Sequence, residues 1–371
     1  MDQFLVSTID SLMEMERGEY LEQALDKGNG FYGRAFNSLS KNCLRINVPR
    51  TRTGEFSPNT LELVKMGQEQ VNDLCLSLYK KGMTSRDISD LIRETFGEGV
   101  SATKVTNLAK VFRQFRDAWE KSKLEKHYLA MFCDCIFITV RRGDSYSQEA
   151  VYVAYGVRED FKREILCLSV NPTESASEWG ELFEKLKKRG IEKVDLIIAD
   201  GLKGLEGQIH RVFPGAKFQK CVVHKMRNIL NKTRPKEKAE MAEDLKEVFG
   251  NFDSDATIER ALVKVENLCD KWKSKYPNLK RFFDEGTIEY YFTYIGYDTK
   301  VRRMIYTTNS IENLNRVIRK ATKNKLSFES PDNLLDYVFM ITKEFEEKNF
   351  MRYTLSEFKY FEGEEGQTHF S

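Results

Sequence analysis

The run Val194-Asp195-Leu196-Ile197-Ile198-Ala199-Asp200-Gly201 constrains the fold more than any other stretch of the chain. It is apolar at consecutive positions and ends in an aspartate and a glycine. Such a run suits a strand buried on both faces, as in the core of a parallel sheet. A carboxylate at the C-terminal end of that strand stands where open α/β sheets place their chemistry. The same aspartate could instead cap a following helix. The glycine leaves room for another backbone or for bound waters to approach.

A second run, Tyr128 to Val140, is also apolar on both faces and carries Asp134 in its middle. Burying a lone carboxylate costs several kcal/mol or forces it neutral. A central strand tolerates it only when it is hydrogen-bonded, paired or coordinated to a metal. That condition allows a structural aspartate or a functional one. After a turn at Arg141–Ser145, segments Glu149–Gly156 and Arg163–Val170 read as strands, so three strands form an antiparallel meander. Glu174–Gly190 reads as a helix on Ala176, Trp179, Leu182, Phe183 and Leu186, and leads into the Val194 strand. The order β-β-β-α-β with acids on the first and fourth strands fits a ribonuclease-H-like sheet. In that topology the fourth strand lies beside the first and brings Asp134 and Asp200 together.

Leu202–Val212 is expected as a helix and Lys217–His224 as a strand, with Lys225, Arg227 and Asn228 opening a basic helix. Cys221 and His224 have a C-x2-H spacing. A structural zinc needs about four ligands, and no second pair follows, so a local structural or substrate-contacting role is the better reading. The predicted fold is therefore α/β, a mixed sheet in the order β-β-β-α-β-α-β-α. Residues 235–285 interrupt it with helices at Lys236–Phe249, Thr257–Lys273 and Leu279–Phe283, Trp272 anchoring their core. This block reads as an all-helical insertion.

Ile305 to Arg316 follows, with Asn309 or Ser310 able to cap a helix that carries Glu312 in its first turn. Helical spacing puts Glu312, Asn315, Arg316 and Arg319 on one side, and Lys320, Lys323 and Lys325 extend the basic surface. Asp134, Asp200 and Glu312 then share one rationale. Oxygen ligands suit Mg2+ or Mn2+. Two such ions about 4 Å apart activate an attacking oxygen and stabilise the leaving oxygen of a phosphodiester. Nearby Arg and Lys groups would hold nucleic-acid phosphates.

The N-terminal third is mostly helical. Residues 2–27 and 60–81 carry helical apolar spacing, and Leu44–Arg50 alternates as a short strand with Arg45, Arg50 and Arg52 close together. Thr84 or Ser85 caps one short helix. Gly97 and Gly99 break the chain, and Ser101 opens another helix with Thr103, Lys104 and Asn107 near its start. This is the pattern of a helix-turn-helix, whose second helix needs small polar and basic groups to reach base edges. Ordinary helical hairpins look similar. Residues 109–126 continue as a charged helix. With 59 Lys+Arg against 57 Asp+Glu, a uniformly basic coat is excluded and any nucleic-acid surface is a local patch. Seven scattered cysteines, no signal peptide and no membrane-length apolar run point to a reduced cytoplasmic protein. Expected boundaries are 1–58, 59–126 (helix-turn-helix), 127–232, 233–300 (insertion), 301–347 and a tail at 348–371.

The chain resembles the Mutator-type transposases of bacterial insertion sequences, within the DDE and ribonuclease-H-like superfamily. The resemblance spans about residues 30–345 and rests on several motifs. They are Asp134 in the first strand, Asp200-Gly201 with Lys203-Gly204-Leu205, and Phe213-Pro214. Further on come Gln219 with Cys221-x2-His224 and Arg227-Asn228, and Thr307-Thr308-Asn309-Ser310-Ile311-Glu312. It implies that Asp134, Asp200 and Glu312 are the metal-binding triad, with two Mg2+ or Mn2+ ions per active site. It implies cleavage of DNA at an element's terminal inverted repeats and attack of the freed 3′-hydroxyl on target DNA. DNA contacts are expected from Arg316, Arg319, Lys320, Lys323, Arg227, Asn228 and His224, and from Ser101, Thr103, Lys104 and Arg50. Paired ends imply at least a dimer on DNA, associated with the bacterial nucleoid and not with a membrane. Two departures stand out: no glycine near Lys41-Asn42 upstream of Val48-Pro49-Arg50, and Cys133 and Cys135 flanking Asp134. The alternatives are a non-catalytic helix-turn-helix regulator and a metal-dependent nuclease without strand transfer.

Overall fold

The computed structural model describes residues 2–37, 43–96, 100–283, 286–307, 309–323, 325 and 328–361. The chain divides into two units, Met1–Phe115 with Ala321–Lys325 and Arg116–Lys320 with Leu326–Ser371. In the first, α1 (Asp2–Gln23) precedes an antiparallel pair, β1 (Gly28–Asn37) and β2 (Cys43–Thr51). The expected strand over Leu44–Arg50 thus has a partner that its own sequence, rich in glycine, conceals. Alternation turns Ile46 and Val48 inward onto Ile9, Met13, Phe36 and Leu61, and leaves Arg45 and Arg50 exposed.

Helices α2 (Asn59–Lys80), α3 (Ser85–Phe96) and α4 (Ala102–Lys121) follow. They share a small core of Val71, Cys75, Ile88, Ile92, Val100 and Val105. A capping box starts α3: Thr84 Oγ1 accepts from the Asp87 amide at 3.1 Å, and Asp87 accepts from the Thr84 amide at 3.3 Å. Ser101 Oγ caps α4 by accepting from the Lys104 amide at 3.2 Å. The Gly97 and Gly99 break and the Lys41-Asn42 position lie outside the described residues. Helix α4 ends at Lys121, short of the expected Lys126, where the Ser122 hydroxyl bonds back to the Trp119 carbonyl at 2.7 Å.

The second unit is built on a mixed five-stranded sheet. Its elements are β3 (His127–Arg142), β4 (Ser145–Val157), β5 (Arg163–Asn171), α5 (Ala176–Lys188), β6 (Lys193–Ala199), α6 (Leu205–Val212) and β7 (Lys217–Lys220). The strand order is β5-β4-β3-β6-β7, with β4 antiparallel to both β3 and β5 and the β3–β6 and β6–β7 pairs parallel. The fourth strand of this sheet lies beside the first, as the acid pattern anticipated. Both apolar runs are central strands, which explains why neither alternates. Helices α5 and α6 cover one face through Trp179, Phe183, Leu205 and Ile209, packed on Tyr128, Met131, Tyr152 and Ile197.

Gly156 on β4 shows how tight this packing is. A Cβ there would stand 2.7 Å from Cε1 of Tyr128, a fully buried ring whose hydroxyl is held by Glu164 at 2.6 Å. Gly156→Ala is therefore expected to lower the unfolding free energy by about 1–3 kcal/mol, read by urea denaturation. An unchanged midpoint would mean that the ring moves freely.

Strand β7 stops four residues before the expected His224. The Cys221 amide makes the last ladder bond, to the Ala199 carbonyl at 2.7 Å, and α7 (Val222–Lys232) begins at once, so Cys221 and His224 belong to a helix start. Next come α8 (Lys238–Phe249) and α9 (Ile258–Trp272), the latter capped by Thr257. Trp272 is buried, its indole donating to Asp244 at 2.7 Å. Short 3-10 turns at Leu279–Phe282, Ile288–Tyr291 and Thr293–Gly296 lead to α10 (Thr299–Ile305), α11 (Asn309–Lys323) and α12 (Pro331–Phe345). Fully buried Gln219 bolts the returning chain to β7. Its amide nitrogen donates to the Lys220 and Tyr291 carbonyls at 2.6 and 3.2 Å, and its oxygen accepts from the Tyr294 amide at 2.8 Å. No helix among the described residues is long and apolar enough to cross a membrane.

Candidate active site

The β3–β6 register pairs Phe132 with Ile198. Asp134 follows two residues later within β3, and Asp200 follows Ile198 by two residues, one past the end of β6. Asp134 is 8% exposed, and both its oxygens are engaged: Oδ1 accepts from the Cys135 amide at 2.8 Å, Oδ2 from Asn315 Nδ2 at 2.7 Å. Burial pushes its carboxyl up, against the opposing pull of His224, the Cys135 amide and Asn315. Asp200 lies just past β6, half-buried, with Oδ1 accepting from the Gly201 amide at 2.7 Å.

Glu312 sits in the first turn of α11. Arg227 grips it with a two-pronged pair, Nη1 to Oε1 at 2.6 Å and Nη2 to Oε2 at 2.9 Å. His224, three residues earlier on α7, stands between the acids. Its Nε2 is 3.2 Å from Glu312 and its Nδ1 is 3.6 Å from Asp200. The imidazole is pushed up to about 9, most by hydrogen bonding to the Cys221 side chain and further by Asp200 and Asp134, against the cost of burial. At neutral pH it therefore carries a positive charge. One helix thus supplies two cations, at i and i+3, to carboxylates drawn from a strand end and another helix.

Two neighbours were not anticipated. Glu174, in the loop before α5, is pushed up by burial against the Trp179 hydrogen bond, and the charges of Asp200 and Asp134 push it the same way. Trp179 Nε1 donates to it at 3.5 Å. Nothing in its sequence context marks it beyond its place next to the Ser175 cap. The Tyr291 hydroxyl is the second. A Cβ on Gly201 would fall 2.7 Å from it, so the space beside that glycine is filled by tyrosine and not by a passing backbone or by waters.

Arg316, Arg319, Lys320 and Lys323 are exposed along α11. The expected shared side with Asn315 does not hold: Asn315 is wholly buried against Asp134, while Arg316 donates to Asn313 at 2.7 Å on the outside. Residues i and i+1 on a helix are about 100° apart, so burying one leaves the next at the rim. Asn228 is exposed on α7. In the first unit Thr103 and Asn107 are exposed on α4, Lys104 is half-buried, Ser101 is spent as a cap, and Arg50 lies 5.8 Å from the Tyr32 ring. Thr308 lies outside the described residues.

Among the described residues, no three His, Cys, Asp or Glu side chains surround a common point suited to a metal ion. Protein cations stand between the acids instead, His224 bridging Asp200 and Glu312 while Arg227 forks Glu312. The donors are hard carboxylate oxygens, the type that divalent magnesium or manganese selects.

Fold and site together define an α/β protein with a cation-buttressed acidic centre, its carboxylates drawn from the middle of one central strand, the end of its parallel neighbour and a helix. Comparison with known families is more particular. The model described as "Transposase, Mutator family" matches residues 1–352, and the chain belongs to that family. It is 30% identical to the transposase for insertion sequence element IS905 of Lactococcus lactis subsp. lactis over 322 residues, covering 87% of this chain and 80% of that protein. It is 28% identical to the transposase for insertion sequence element IS1201 of Lactobacillus helveticus, covering 90% and 91%. The transposase for insertion sequence element IS256 in transposon Tn4001 of Staphylococcus aureus is 30% identical, covering 86% and 83%.

Proposed function

We propose that this chain is a DNA transposase with a ribonuclease-H-like catalytic domain. It binds the terminal inverted repeats of its element, cleaves the DNA there and joins the 3′-hydroxyl ends to a target strand. The observation that carries this reading is His224, 3.2 Å from Glu312 and 3.6 Å from Asp200, with Asp134 on β3, the parallel neighbour of the strand that Asp200 follows. Family membership and the names of the relatives support it.

Asp134, Asp200 and Glu312 would hold two Mg2+ or Mn2+ ions. Bound there, the ions supply Lewis-acid activation of the attacking oxygen and stabilisation of the departing one. The protein's own groups do the positioning. Asn315 and the Cys135 amide fix the plane of the Asp134 carboxylate. Arg227 and His224 hold Glu312 and offset the mutual repulsion of the acids. The exposed cations of α11 and the amide of Asn228 take DNA phosphates, and the α3–α4 pair, led by Thr103 and Lys104, reads the repeat. Joining requires two ends in one assembly, so the working form on DNA is at least a dimer.

The test uses the full chain with DNA bearing the inverted repeats that flank its reading frame, pre-cut to expose 3′-hydroxyls, and a plasmid target. Joined product is expected with Mg2+ or Mn2+ and none after chelation. Cutting without joining would reduce the chain to a nuclease. Specific binding with neither reaction would make it a regulator.

A further inference from the structure

The helical segment holds a cleft that the chemistry above does not use. Its volume is about 300 Å³, within the usual range for a small ligand site. Ile229, Met241 and Leu279 form a buried floor, and Tyr276 and Phe282 supply aromatic walls. Lys232, Arg234 and Lys275 also line it, all three on exposed positions. The walls are braced. The Tyr276 hydroxyl donates to Glu237 at 2.5 Å and accepts from the Arg234 amide at 2.9 Å, while Lys232 stands 4.9 Å from the Phe282 ring centroid. No Asp or Glu is among the described residues that line the cleft; beside it Glu237 is turned to Tyr276 and to Lys275 at 3.5 Å, so three cations against one acid leave the mouth positively charged.

Helix α7 joins this cleft to the acidic centre. It carries His224 in its first turn and Ile229 and Lys232 toward its end, so the two places lie about 12 Å apart along one rod. They lie on different faces: Lys225, Ile229 and Lys232 share the cleft side by i, i+4, i+7 spacing, whereas His224 and Arg227 face the acids.

Flat aromatic walls over an apolar floor, rimmed by cations, are what an unpaired nucleobase with its flanking phosphates requires. We propose that this cleft holds one extrahelical nucleotide of the bound DNA, away from the reacting phosphodiester. The proposal rests on the DNA reading above and deepens it. Stacking on Tyr276 or Phe282 gives hold without base identity, and Lys232, Arg234 and Lys275 grip the phosphates on either side.

The test is affinity of the full chain for three fluorescein-labelled duplexes: fully paired, with a single unpaired thymidine, and with an abasic residue in its place. The unpaired thymidine is expected to bind about tenfold more tightly than the abasic bulge. Asn278→Trp, at an exposed lining position, places an indole across the mouth and is expected to erase that difference. Lys232→Ala with Arg234→Ala should weaken both bulged probes alike and lower the salt slope by about one to two. Equal affinity of the two bulges for the unaltered chain, or a preference that survives Asn278→Trp, overturns the proposal. If none of the duplexes binds, the transposase reading fails with it; if the paired duplex binds without bulge preference, only the cleft assignment falls.

Discussion

Asp200→Ala, Asp134→Ala and Glu312→Ala are each expected to lower cleavage and joining of element-end DNA by on the order of 10³-fold or more, without weakening DNA binding. The two readouts separate because the acids repel phosphate; removing one takes negative charge away from the bound strand. Asp134 offers a further discriminating result. It holds its proton more tightly in the fold than in the unfolded chain, because burial disfavours its charge. Ionisation therefore costs stability as pH rises through the carboxylate range, and an uncharged amide escapes that cost. Asp134→Asn should thus be inactive yet melt no lower than the parent at neutral pH. An inactive and markedly less stable Asp134→Asn would assign the residue to structure alone. Full joining by any one of the three alanine proteins would remove that residue from the site.

Trp179→Ala is expected to lower the unfolding free energy by about 3–5 kcal/mol, a large share of the ~5–15 kcal/mol that a folded domain has. Trp179 is 1% exposed, edge-on to Tyr152 with centroids 5.0 Å apart and stacked on Phe183 at 5.8 Å. Its removal opens a cavity between α5 and the sheet that these braced rings cannot fill. Trp179→Phe keeps most of the packing but deletes the donor to Glu174, so its cost should be nearer ~1 kcal/mol. Urea denaturation of both proteins tests the claim. A Trp179→Ala loss below about 1 kcal/mol would mean that the helix repacks and that the ring is not an anchor.

The sheet is legible because strands buried on both faces write themselves as mostly apolar, non-alternating runs, and Tyr128–Val140 and Val194–Ala199 are such runs. An aspartate inside one of them stands out for the same reason. Elements that rest on distant partners were not legible. The first strand of the N-terminal pair, Gly28–Asn37, has three glycines and gains its conformation from β2. The 3-10 turns at Ile288–Tyr291 and Thr293–Gly296 are too short to carry a period, and buried Gln219 holds them from 75 residues away. The end of β7 differs from the expectation because Val222 and Val223 favour strand locally, whereas Cys221 makes the last rung to Ala199 and caps α7, which takes both valines. At the candidate site, residue types pointed to the acids, but the Arg227 fork on Glu312 links positions 85 apart and has no local signature.

The bond from Gln219 to Tyr294 also bears on how such a chain can change over time. The helical excursion leaves the sheet after Lys220 and comes back to the same edge, where Thr293 Oγ1 donates to the Phe218 carbonyl at 2.6 Å. Leaving and returning at one point makes the excursion a closed loop hung from a fixed clasp. The entropy of closing such a loop grows only with the logarithm of its length, so doubling it costs about 0.6 kcal/mol. Helices can be added to or deleted from the pendant at little thermodynamic penalty, provided the clasp residues stay and α7, whose His224 and Arg227 hold Glu312, is kept. The sheet and its acids are thereby insulated from drift in the lobe, which is free to diversify in size and surface while the strand ends stay in register.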